Sequence, residues 1–211
     1  MLLRKPRLRD EAFYFVKDFA RMAREAMRGE KIVLQRGRLC FIVWSMLTII
    51  TADTADRIST AREMIMEYAA WLEFKLCFQG FDEEMRTLPG KYAAPSGRLF
   101  LALWDERPAG VIALRALDEP GLCEMKRLYV RPEFRGHGIG RILAERVIAE
   151  AAEVGYSRMR LDTIQGKMRD AIAMYRRLGF RETAPYYNSP VGETLFMELA
   201  LESAPGQQAA G

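Results

Sequence analysis

Apolar residues recur along this chain in two rhythms, one of period two and one near 3.6, and together they predict its elements. Met46-Leu47-Thr48-Ile49-Ile50 opens a strand over about 46–52. Thr54 can then cap a helix whose apolar positions are Ile58, Ala61, Ile65, Tyr68, Ala69 and Leu72. Phe78 to Leu88 reads as a shorter helix stopped by Pro89-Gly90. Arg98 to Asp105 and Gly110 to Leu117 are apolar runs of strand composition, with Glu106-Arg107-Pro108 as the expected hairpin turn. Leu122 to Val130 predicts a strand that Arg131-Pro132 ends, because proline brings no amide hydrogen to a ladder. Ile142, Leu143, Val147, Ile148 and Ala151 mark an amphipathic helix over 138–154. Arg158 to Thr163 alternates as a strand should, Met168 to Leu178 is a helix stopped by Gly179, and strands over 180–183 and 194–201 close the pattern.

Residues 1–45 stand apart from this order. Asp10 caps a predicted helix that ends at Gly29, with Val16, Phe19, Ala20, Ala23, Ala26 and Met27 on one face and Lys17, Arg21, Arg24 and Arg28 on another. The predicted organisation is a basic front extension over 1–45, one domain over 46–202, and a small polar tail over 203–211.

The most specific local signal is Arg135-Gly136-His137-Gly138-Ile139-Gly140, between a strand and a helix. Such a turn aims several unpaired backbone N–H groups at one point, where the helix dipole also favours negative charge, so it suits a phosphate. Glycine keeps that approach open. A dinucleotide fingerprint would need a third glycine at position 141, which is Arg141, and a Walker loop would need Gly-Lys-Ser/Thr, which is absent.

The pattern that fits is Arg135-x-x-Gly138-x-Gly140, and LYVRPEFRGHGIG resembles the acyl-CoA-binding segment of the GNAT superfamily of N-acetyltransferases. The predicted order of elements resembles that family over about residues 46–201. The fold the resemblance implies is α/β (α+β): a mixed, mostly antiparallel sheet flanked by helices, with a splayed central strand pair. It implies that the backbone of Leu128, Tyr129 and Val130 pairs with the pantetheine arm of acetyl-CoA, the cosubstrate. It further implies that N–H groups of Gly136, His137, Gly138, Ile139, Gly140 and Arg141 hold the diphosphate, helped by the cation of Arg135 or Arg141. His137 lies in this turn and is not assigned to the acyl chemistry.

Ala171-x-x-x-Tyr175-x-x-x-Gly179-Phe180 resembles the family's second acetyl-CoA segment, which gives Tyr175 the role of acid toward the departing thiolate. Where the family commonly has asparagine three residues before that alanine, this chain has Met168. Glu124 occupies the place of the glutamate that some members use as general base, and partial burial would make it a better one. A water chain or Asp162 could do the same work, and pairing of Glu124 with an arginine is the alternative. Phe78, Phe81, Tyr92, Tyr186, Tyr187 and Asn188 fall in the segments that build the family's acceptor pocket, and the aromatics among them could equally be core.

Composition narrows the reading further. Half the 211 residues are hydrophobic and 28% charged, as in a globular protein. The net charge of +4 is unevenly distributed: residues 1–45 hold 11 Lys/Arg against 5 Asp/Glu, and the remainder 21 against 23. The front basic stripe reads as a solvated face, so no nucleic acid is expected as a partner. No stretch reaches the ~18 apolar residues of a membrane span, and the first ten residues lack the apolar core of a secretory signal. The three cysteines, Cys40, Cys77 and Cys123, match no zinc pattern, so no metal and a cytoplasmic home are expected. The expected activity is acetyl transfer from acetyl-CoA to a primary amine of a small molecule or peptide by direct attack in a ternary complex. The rival is a catalytically inactive acyl-CoA-binding sensor, and a homodimer is left open.

Overall fold

The computed structural model describes residues 34–35, 38–39, 46–72 and 80–201. The chain divides between Ser45 and Met46 into two units. In the first, β1 (Leu34–Gln35) pairs antiparallel with β2 (Arg38–Leu39). The helix expected over 10–29, Phe78 and the tail from Ser203 lie outside the described residues.

The second unit runs β3 (Leu47–Thr51), α1 (Ala55–Leu72), α2 (Phe81–Thr87), β4 (Arg98–Trp104), β5 (Arg107–Ala116), β6 (Leu122–Val130), α3 (Ile139–Val154), β7 (Arg158–Ile164), α4 (Arg169–Arg177), β8 (Arg181–Glu182) and β9 (Thr194–Ala200). Its seven strands lie in the order β3-β4-β5-β6-β7-β9-β8, antiparallel throughout except for β6 and β7. This is the expected mixed, mostly antiparallel sheet. Side chains alternate across it, so one hydrophobic core forms on each face. Ile112 and Leu114 of β5 pack with Leu143, Val147 and Tyr175 from α3 and α4. Val111 and Ala113 pack with Met64, Ile65, Phe81 and Met85 from α1 and α2.

The β4–β5 turn differs from expectation. Its two corner residues are Asp105 and Glu106, both at positive φ (48° and 65°), while Arg107 and Pro108 belong to β5. Positive φ at both corners matches the right-handed twist of the flanking strands, although asparagine and glycine are the usual occupants. Asp105 is fixed there from both sides: its amide donates to the Met46 carbonyl (3.1 Å), and its Oδ1 accepts from the Met46 amide (2.9 Å).

Two irregularities of β6 shape everything around it. Val111 faces Tyr129 and Ala113 faces Lys126, so Arg127 and Leu128 together oppose Ile112 in a β-bulge. Arg127 sits in the left-handed region (φ 59°), a strained position for a side chain this long. On its other edge β6 meets β7 only through Leu122–Arg158, Cys123–Met159 and Glu124–Arg160. Beyond Glu124 the two strands part, which is the expected splayed pair.

The bulge is held by charge. The Arg127 guanidinium donates from Nε and Nη2 to Glu84 (2.7 and 2.8 Å), lies over the Phe81 ring (5.2 Å), and is 97% shielded from solvent. Tyr92 donates to the same carboxylate at 2.9 Å. Burial alone would raise the Glu84 pKa, yet the bonds from Arg127 win and hold it below the usual carboxylate value. Removing one partner leaves the other charge buried and uncompensated, so Glu84→Gln is expected to lower stability by about 3 kcal/mol in urea unfolding. Because the folded pKa is depressed, the pair's contribution is complete above the unfolded carboxyl's pKa of about 4.3 and is lost as pH falls through the folded value. The Glu84→Gln variant should therefore show a flatter loss of melting temperature between about pH 5 and pH 3 than the parent chain.

Candidate active site

The gap between β6 and β7 opens into two cavities. The larger, about 820 Å³, is a cleft between the start of α3 and the start of α4. One wall is Leu128, Tyr129, Val130 and the turn 135–141 apart from His137, and the other is Gly166 to Ala171 with Met174 and Arg177. The smaller, about 110 Å³, is a chamber in the gap itself, with Tyr175 of α4 and Tyr68 of α1 among its walls. Tyr68, Leu128, Met168 and Ala171 line both, so the cavities meet at these four residues.

At the head of α3, Gly136 and Gly138 take positive φ (83° and 76°) with nothing within 4 Å of where a Cβ would stand. Backbone conformation, not crowding by the protein, is what calls for glycine there. The first intrahelical bond runs from the Ile142 amide to the Gly138 carbonyl (3.1 Å), which leaves the preceding amides at the cleft. At the far end Gly155 (φ 100°) closes the helix, its amide bonding to Ala152 and that of Tyr156 to Ala151, a Schellman motif.

Ten of the predicted site residues are wall residues of these cavities. Leu128, Tyr129, Val130, Arg135, Gly136, Gly138, Ile139, Gly140 and Arg141 line the cleft, and Tyr175 lines the chamber. His137 does not: its ring packs at 4.6 Å from that of Trp104. Arg135 donates from Nε to the Val130 carbonyl (3.0 Å) and spreads over Trp71 and Tyr129 (5.3 and 5.9 Å). Arg141 pairs with Glu145 one turn on (2.8 Å). Sequence reasoning missed the cations of the opposite wall, Lys167, Arg169 and Arg177. With Arg135 and Arg141 they place five basic residues around the cleft against one acid, Asp170, a field suited to a polyanion. The cluster Lys167-Met168-Arg169 with Arg176-Arg177 was the available signal.

Tyr175 is buried, edge-on to Phe180 (5.8 Å), and its hydroxyl bonds to no described residue. Burial pushes its phenol above the usual range, with Tyr68 and Asp162 adding to the shift. Tyr68, read from sequence only as part of a helix face, is raised by burial in the same way.

Glu124 lies outside both cavity walls and is wholly buried. Its Oε2 accepts from Arg115 (2.6 Å), and its Oε1 accepts from the Tyr186 hydroxyl (2.7 Å) with Lys126 Nζ at 3.7 Å. The arginine pairing weighed from sequence is therefore present. It belongs to a row of opposite charges across five strands: Arg115, Glu124, Arg160, Glu198 and Arg181 are register neighbours in turn. One step along, where the ladder has ended, Lys126 and Asp162 reach across the gap at 2.6 Å, and both line the chamber.

The aromatics expected around the acceptor divide. Tyr187 lines the chamber, and Tyr186 packs on Phe196 and Arg160 while capping Glu124. Phe81 and Tyr92 are core residues instead, buried because they support the Arg127–Glu84 pair. Asn188 is exposed and lines neither cavity.

A sheet split at its centre, with a helix head and a basic cleft beside the split, defines the class of acyl-CoA N-acyltransferase folds. The sequence profile of the acetyltransferase (GNAT) family matches residues 64–180, and this chain belongs to that family of acyltransferases. An uncharacterised N-acetyltransferase of Schizosaccharomyces pombe is 34% identical over 158 residues, covering 74% of this chain and 96% of that protein. The N-acetylaspartate synthetase of Rattus norvegicus is 30% identical over 188 residues, covering 83% of this chain and 60% of that protein. A putative acetyltransferase from Salmonella typhimurium, solved with its cofactor acetyl-CoA, shares the fold with a TM-score of 0.53 at 24% identity, over 78% of this chain and 99% of that one. Among the described residues no helix is long and apolar enough to cross a membrane, and no His/Cys/Asp/Glu cluster could hold a metal ion.

Left-handed φ without steric contact makes Gly138 a clean test of backbone strain. Gly138→Ala should cost about 1–2 kcal/mol in thermal unfolding, with α-helical content unchanged by circular dichroism.

Proposed function

We propose that this acyltransferase moves acetyl from acetyl-CoA to the primary amine of a small molecule or peptide by direct attack within a ternary complex. The observation that carries the reading is the junction of the two cavities, where a polyanion-sized basic cleft meets a smaller chamber beside the buried Tyr175 hydroxyl. Amides of 136–141 and the five flanking cations suit the diphosphate, and the unpaired edge of Leu128, Tyr129 and Val130 suits the amide-bearing arm.

In the chamber the residues divide the proton work. The amine must shed a proton before its nitrogen can bond to the acyl carbon. Glu124 has both oxygens engaged, so the geometry favours Asp162 as the base, the alternative weighed from sequence; Glu124 then holds Tyr186 and Lys126 in place. As the carbon–sulfur bond breaks, Tyr175 gives its proton to the thiolate. A phenol raised by burial stays protonated through neutral and mildly alkaline pH, which suits an acid. The widely spaced cysteines and the unpaired, buried Cys123 fit a reducing compartment such as the cytoplasm.

The test follows free thiol release from acetyl-CoA across a panel of amines and short peptides, with acetyl-CoA binding measured separately by calorimetry. Tyr175→Phe should lower kcat by about a hundredfold while acetyl-CoA still binds, and Asp162→Asn should lower it at least as much. Binding with no turnover on any acceptor would instead make the chain an acyl-CoA-binding module. No binding would remove both readings.

A further inference from the structure

We infer that the acceptor is a small free amino acid, recognised as a zwitterion by the Lys126–Asp162 pair that bridges the split between β6 and β7. The inference rests on the transferase reading above and adds to it the chemical class of the acceptor.

Three observations lead there. The first is size. A cavity of about 110 Å³ has room for several to about ten waters, the scale of a small amino acid's heavy atoms. The second is the ion pair itself. Lys126 Nζ stands 2.6 Å from Asp162 Oδ1, with side chains only 8% and 18% exposed, in the wall of the chamber beside Tyr175. A lysine ammonium on a carboxylate is the contact an acceptor's ammonium would make there. The third is the fate of the displaced cation. An ammonium that takes Asp162 leaves Lys126 with anions that already have partners: Glu124 at 3.7 Å, engaged by Arg115 and Tyr186, and the more distant Glu84, engaged by Arg127 and Tyr92.

Charge balance then selects the ligand. A plain amine adds one positive charge to the chamber and separates Lys126 from its partner. A zwitterion adds none: its ammonium takes Asp162, its carboxylate takes Lys126, and every buried charge keeps an opposite neighbour. The balance survives the reaction as well. When Asp162 accepts the ammonium proton, the nitrogen becomes neutral and its lone pair is released for the acyl carbon. Lys126 remains matched by the substrate carboxylate throughout. Hydroxyls of Ser189 and Thr194, 2.7 Å apart in the same wall, offer further polar contacts to such a molecule.

The experiment uses the full chain with saturating acetyl-CoA and follows free thiol. Glycine, L-alanine and L-serine are each compared with their α-carboxamide and their decarboxylated amine, and a set of short peptides is run beside them. The expected result is a kcat/KM for the best amino acid about thirtyfold or more above its amide and its amine, the loss expected when a charged contact is left unpaired. Lys126→Met should bring that ratio to within about threefold, chiefly through KM, and Lys126→Arg should keep a ratio above about tenfold. If Lys126→Met does not fold, the ratio in the parent chain decides alone. Amides, amines or peptides used as well as the amino acid would overturn the inference while leaving the transferase standing, and so would a preference that survives Lys126→Met. Silence on every acceptor despite acetyl-CoA binding would overturn the transferase reading, and this one with it.

Discussion

The structure depends on a sheet that cannot close at its centre. Between β6 and β7 the ladder ends at Glu124 and Arg160, and from there the strand edges of a folded core face a cavity. Unpaired strand edges are normally a liability, since each amide and carbonyl wants a partner. Here the gap is kept open by a bulge one step along β6, and the bulge by the buried Arg127–Glu84 pair with Tyr92 and Phe81 around it. Backbone strain at Arg127 is thus offset from the neighbouring helix α2, outside both the cleft and the strand that bears it.

Charge is laid out around that gap with a clear division. On the cleft side the residues are basic and mostly solvent-facing, which favours a mobile polyanion without a fixed geometry for each contact. In and behind the chamber wall the charges are largely withdrawn from solvent and matched: Arg115 with Glu124, Lys126 with Asp162, Arg160 with Glu198. Buried pairs contribute little net stability, yet they make a site intolerant of unbalanced ligands. The same ion pair that bridges the two strands is therefore suited to select what enters between them.

Tyr68 and Tyr175 complete this arrangement from opposite faces of the sheet. One comes from α1 and the second core, the other from α4 and the first, and both reach the gap that joins the two faces. A continuous sheet would have kept them apart. Their raised phenol pKa values share the same first cause, removal from water by the elements that wall the chamber.

Much of this was legible along the chain, for reasons that are local. Periodicity marked β7, where Met159, Leu161 and Thr163 are buried and their neighbours are not, and glycine marked the head of α3, because backbone freedom is what the φ values of Gly136 and Gly138 require. The turn 135–140 and the spacing to Tyr175 could be read because each lies within one stretch of sequence. Tertiary structure alone decided which residues face each other across the gap. Lys126 meets Asp162, 36 residues away, because strand register brings them level just where pairing stops. It also turned Glu124 from an open candidate base into an enclosed member of a charge row, and decided for Phe81 and Tyr92 between pocket and core. A linear pattern fixes what a residue can do with its own neighbours. Which distant charge compensates a buried one depends on register and packing, and those exist only in the folded chain.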